Sequence, residues 1–141
     1  MYTFQITLHA RPSEAEPGGM LEVGGRQVAT LAVPPAAVAT CFRISFEEAE
    51  AALAQLPRMF IEPDGSFVWV AAEAEATWQV DGVLYDRDER LLFVDLKGSC
   101  TATAFDRLLT AFGWPETAVM MQLTRAAVFL DEPTFRQFAN R

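Results

Sequence analysis

The sequence predicts a mixed α+β domain: a central sheet, mostly antiparallel or mixed, flanked by two main helices (46–56 and 102–112) and a short C-terminal one. Three observations predict it. Residues 2–9 alternate strictly between apolar and polar side chains, the pattern of a half-buried strand. Ser45-Phe46-Glu47-Glu48 has the hydroxyl and the carboxylate of a capping box, which opens a helix. Phe105, Leu108, Leu109 and Phe112 fall at i, i+3, i+4 and i+7, the apolar stripe of a second helix. The 141 residues, 51% apolar, suffice for one hydrophobic core, and no repeat or low-complexity linker divides them. Residues 1–44 then supply N-terminal strands, 45–124 the core, and 125–141 a closing strand and helix.

In the first strand Tyr2, Phe4, Ile6 and Leu8 share the inner face; Thr3, Gln5, Thr7 and His9 share the polar one. Arg11 to Gly19, with Pro12, Pro17 and a glycine pair, reads as a loop. Stretches 26–33 and 37–44, either side of Pro34-Pro35, read as strands. The capped helix buries Phe46, Ala49, Leu53 and Leu56 and stops before Pro57. Met59–Glu62 and Phe67–Ala71 form a hairpin around Pro63-Asp64-Gly65-Ser66. An alanine-rich connector with Glu73 and Glu75 leads to strands 77–86 and 91–97, joined by a charged link. Gly113 ends the second helix and Pro115 blocks its continuation. Val119–Leu123 and Ala127–Leu130 read as strands, and Asp131-Glu132-Pro133 starts the last helix.

Composition narrows the function classes. Nineteen acidic against 11 basic residues leave a charge of −8, spread over both halves of the chain. Neither half offers the basic stripe of a protein that grips nucleic acid, and anionic membranes are repelled likewise. The longest uncharged run, Gln27 to Phe42, is broken by prolines and falls short of the ~20 residues a membrane helix requires. The N-terminus has no basic start and no apolar core of a signal peptide. Cys41 and Cys100 lie too far apart in sequence for a redox motif and read as reduced thiols, which places the chain in the cytoplasm. His9, the single histidine, reads as a surface imidazole, so histidine-rich metal sites are excluded. The single lysine is Lys97.

That lysine belongs to the one constellation suited to chemistry. Along 91–97, Asp95 and Lys97 point to one face beside Phe93 and Leu91. A connecting loop at Asp86–Arg90 sets Tyr85 opposite Leu91 and Asp81 directly opposite Asp95. Facing carboxylates repel, and a divalent cation between them reverses the sign; Mg²⁺ or Mn²⁺ suits such oxygen ligands. Two other arrangements stay open. Asp81-Gly82 is itself a hairpin-turn signal, and a register slip of two residues puts Asp81 opposite Lys97.

Asp81 followed by Asp95-Leu96-Lys97 across a strand hairpin resembles the motif of the PD-(D/E)xK, restriction-endonuclease-like, nuclease superfamily. The element order from 45 to 124 is similar to that core: helix, three strands, helix, strand. The resemblance implies that Asp81 and Asp95 hold Mg²⁺ or Mn²⁺, that Lys97 activates the attacking water, and that Glu50 of the first helix joins the ligands. It implies metal-assisted phosphodiester hydrolysis. Beside it stands the default expectation of a non-catalytic binding or assembly module, working with a protein partner or a second copy.

Overall fold

A computed structural model describes residues 1–72 and 77–140; Glu73 and Glu75 of the connector lie outside them. Nine strands form one sheet: β1 Tyr2–Ala10, β2 Glu16–Val23, β3 Arg26–Ala32, β4 Met59–Ile61, β5 Ser66–Val70, β6 Gln79–Arg87, β7 Arg90–Cys100, β8 Val119–Leu123 and β9 Val128–Asp131. Their order is β2-β3-β9-β8-β1-β7-β6-β5-β4, and every pairing is antiparallel. Three helices accompany it: α1 Phe46–Ala54, α2 Ala102–Ala111 and α3 Glu132–Ala139. The mixed α+β class therefore holds. The flanked layout does not.

The helices gather on one face because each strand offers only one apolar face. Tyr2, Phe4, Ile6 and Leu8 of β1 are buried, and the Phe4 ring meets Phe105 of α2 at 5.5 Å and Phe135 of α3 at 6.1 Å. Val80 and Leu84 of β6, Val94 and Leu96 of β7, and Phe67 and Trp69 of β5 continue the same buried surface. Ala49 and Leu53 of α1 are fully enclosed. The capping box is formed in full, Ser45 Oγ accepting from the Glu48 N–H and Glu48 Oε1 from the Ser45 N–H. Arg136 of α3 binds Asp106 of α2 and Glu132 at 2.7 Å each. Its guanidinium stands over the Tyr2, Phe105 and Trp114 rings.

Three elements depart from expectation. Residues 11–19 are not all loop: β2 begins at Glu16, on the sheet edge where Pro17 costs no ladder bond, and its register shifts between Pro17 and Met20. Residues 37–44 are not a strand. The chain after Pro34 makes a 3-10 turn, Pro35–Ala37, and pairs only briefly, Phe42 N–H to the Leu91 carbonyl and Leu91 N–H to the Ile44 carbonyl. The third departure is the β6–β7 register. Its turn has two residues, Asp88 and Glu89, both at positive φ (51° and 69°), as a type I′ hairpin requires. A shift between Tyr85 and Asp86 then sets Tyr85 opposite Phe93 and Asp81 opposite Lys97.

Gly98 locks that register. Its φ is +138°, and an added Cβ would collide with the Gln79 carbonyl across the pair. Gly98→Ala is expected to lose about 2–4 kcal/mol of stability, since strain and steric clash add. Urea unfolding should show a lower midpoint at unchanged slope.

Candidate functional site

The face of the sheet away from the helices carries the predicted constellation. Residues paired across a ladder point the same way, so the pairs Gln5–Lys97, Thr7–Asp95, Asp81–Lys97 and Val83–Asp95 set Asp81, Asp95 and Lys97 on this face. Asp81 lies in the middle of β6 and not at a hairpin tip. All three residues line one shallow depression of about 290 Å³. The expected direct opposition of the two carboxylates is corrected: Asp95 faces Val83, and Asp81 stands diagonal to it, about 7 Å away at Cβ level. The cause is the two-residue turn, shorter than the five-residue link read from the sequence, together with the register shift between Tyr85 and Asp86. Glu50 lies on α1, with the sheet between it and the aspartates.

Each carboxylate has its own neighbour. Gln79 Nε2 donates to Asp81 Oδ1 at 2.8 Å. Asp95 lies beside the Tyr85 hydroxyl and raises its pKa, first by its charge, then with burial, and least by hydrogen bonding. Among the described residues the ion pairs are those of Arg136, so Lys97 reaches neither aspartate. Among the same residues no group of three or more His, Cys, Asp or Glu side chains could hold a metal ion. Cys41 and Cys100 are free thiols, and burial pushes Cys100 up to about 12, too high for a thiolate nucleophile.

His9 overturns its surface reading. It does lie on the helix-free face, yet it is only 5% exposed. Its ring stacks on Phe93 at 5.5 Å and meets Phe129 edge-on at 5.5 Å. Tyr85 stacks on the far side of Phe93 at 4.6 Å, which extends an aromatic row across the face. Thr7 Oγ1 donates to Gln122 Oε1 at 3.2 Å and shares a 2.8 Å hydrogen bond with His9 Nε2. Nδ1 is buried and completes no hydrogen bond. Burial lowers the ring pKa to about 4, and the Val38 backbone alongside offsets only part of this.

A second, roomier concavity was not foreseen. Where β8 ends, β1 outruns it: their ladder covers Ile6–Ala10, and beyond it that side of β1 has, among the described residues, the Thr124 N–H bond to the Gln5 carbonyl and the Tyr2–Asn140 bridge. The gap is a cleft of about 790 Å³. Phe4, Val23, Leu123, Ala126, Phe135 and Phe138 supply its apolar walls. Thr3, Gln5, Ser99 and Thr124 add hydroxyl and amide groups, and Lys97 and Arg125 the charges. Among the described residues no aspartate or glutamate lines it, in a chain that has 19 acidic residues. Its residues come from β1, the β2–β3 turn, β7, the β8–β9 turn and α3. Only the Gly24-Gly25 hairpin signal could have hinted at one wall.

Comparison of the chain with family models, curated proteins and solved structures finds no match. No helix among the described residues is long and apolar enough to cross a membrane.

Because its folded-state pKa lies below the unfolded value, His9 is neutral in the fold at pH 7, while the unfolded chain gains a proton as pH falls. Stability is therefore intact above pH 6.5 and declines as pH drops towards 4. The loss should reach about 3 kcal/mol. His9→Phe should remove this part of the acid slope, measured as the difference between the two urea-derived stability curves from pH 7 to 4.

Proposed function

We propose that this chain is a non-catalytic binding module and that its ligand occupies the cleft beside the first turns of β1. The observation that carries the reading is the chemistry of the lining among the described residues: apolar walls, a few hydroxyl and amide groups, two cations and no aspartate or glutamate. Small-molecule sites share this form, ~300–1,000 Å³ of largely apolar concavity with few polar groups. The two free cysteines fit a reducing compartment, and we place the module in the cytoplasm.

A second reading keeps phosphodiester hydrolysis, because Asp81, Asp95 and Lys97 line one depression. Against it stand the diagonal placement of the acids, Glu50 beyond the sheet, and the −8 charge facing a polyanion.

Two measurements separate the readings. Nile red, a neutral apolar dye, should bind saturably, and Thr124→Trp, which fills the cleft from an exposed turn position, should weaken it about tenfold with unchanged circular dichroism and melting temperature. No saturable binding, or equal binding by the variant, would remove the cleft as the site. Millimolar Mg²⁺ or Mn²⁺ should leave the melting temperature unmoved. A metal-dependent rise that Asp95→Ala abolishes would restore the nuclease reading.

A further inference from the structure

We propose that the occupant of the cleft is a small amphiphile: its apolar body lies against Phe4, Phe135 and Phe138, and its anionic head group sits between Lys97 and Arg125. This rests on the binding reading above and adds the chemical class of the ligand.

The distribution of charge selects the head group. Other concavities of the molecule follow the acidic composition. One, near the start of α1, is lined by Glu47, Asp64, Asp86 and Glu89. Another holds Glu14 and Glu16. Among the described residues that line these concavities, the cleft has no aspartate or glutamate and carries two cations. Those cations are also uncommitted. Arg136 is held by Asp106 and Glu132, and Arg26 donates to the Phe138 and Gln137 carbonyls. Among the described residues neither Lys97 nor Arg125 has an ion pair or a side-chain hydrogen bond. An anion placed there disturbs no existing contact.

Geometry brings the two together. Gln5 of β1 is the midpoint: Lys97 is its partner on β7, and its carbonyl accepts the Thr124 N–H at 3.2 Å on the other side. The Lys97 and Thr124 backbones thus stand about two strand spacings apart, ~10 Å, and Arg125 follows Thr124 in the turn. Lys97 and Arg125 both line the cleft with Gln5, and the Ser99 hydroxyl lies on the same face as Lys97, two residues along β7. A compact ammonium and a planar guanidinium together match a carboxylate or phosphate oxygen set. Two cations suit one head group and are too few for a polyanion repelled by the remaining surface.

The test uses the intact chain and four decyl compounds: decanoate, decyl phosphate, decanol and decyltrimethylammonium, titrated by calorimetry and by Nile red displacement. Decanoate or decyl phosphate should bind about tenfold more tightly than decanol, with the cationic compound weakest. The stronger of the two anions identifies the head. In Lys97→Met/Arg125→Met the gap between anion and alcohol should close, while Lys97→Arg should keep most of it. Added salt should narrow the gap in the wild-type protein. Equal binding of anions and decanol, or a gap that survives the double substitution, would overturn the proposal while Nile red binding leaves the cleft itself in place. Failure of Nile red and decanol alike would overturn the binding reading and this inference with it.

Discussion

Burial of alternate side chains along β1 is the constraint on which the rest of the molecule depends. This strand occupies the centre of the sheet, paired to β7 along nearly its whole length and to β8 along its second half. Its inner residues seat α2 and α3 through the contacts of Tyr2 and Phe4 with Phe105 and Phe135. A one-residue slip would turn Phe4, Ile6 and Leu8 to the helix-free face and Gln5 and Thr7 into the core. At roughly 1.5–3 kcal/mol per buried large apolar side chain, the penalty exceeds the net stability of a typical domain once polar burial is added. Every other register is anchored to this one.

The same constraint creates the cleft. β1 has nine residues and β8 only five, so the outer part of the central strand loses its neighbour on one side. The edge is closed by α3, the β8–β9 turn and the β2–β3 tip, which come from three different stretches of chain. Lys97 belongs to both landscapes, since it borders the cleft and the acidic depression alike. A single side chain therefore faces a hollow lined by two aspartates on one side and, among the described residues, one without aspartate or glutamate on the other.

Local chemistry was readable from the sequence, and long-range placement was not. The capping box at Ser45, the apolar stripe of α2, the Asp131 cap and the strand alternation of 2–9 each involve residues close in sequence, and each stands in the structure. The β6–β7 register needed two facts the residues left open, whether the turn takes two residues or five and whether the ladder shifts beyond it; the two-residue turn and the shift between Tyr85 and Asp86 together moved Asp81 from Asp95 to Lys97. β2 was missed because prolines and glycines outweighed the Gly24-Gly25 turn that pairs it with β3. His9 sits on the expected face, but alternation cannot show that Phe93, Phe129 and the Val38 backbone enclose the ring. The cleft drew on five elements at once, beyond any local pattern.

The β2–β3 hairpin supplies one wall of the cleft and is lightly moored. Its ladder to the rest of the sheet registers at the single pair Leu31–Phe129, and the Arg26 guanidinium adds two bonds to the end of α3. Few contacts must break for it to swing outward, so its local opening energy lies well below that of the β1–β7 centre. A tilt of the hairpin would therefore widen the cleft while leaving the central strands at rest.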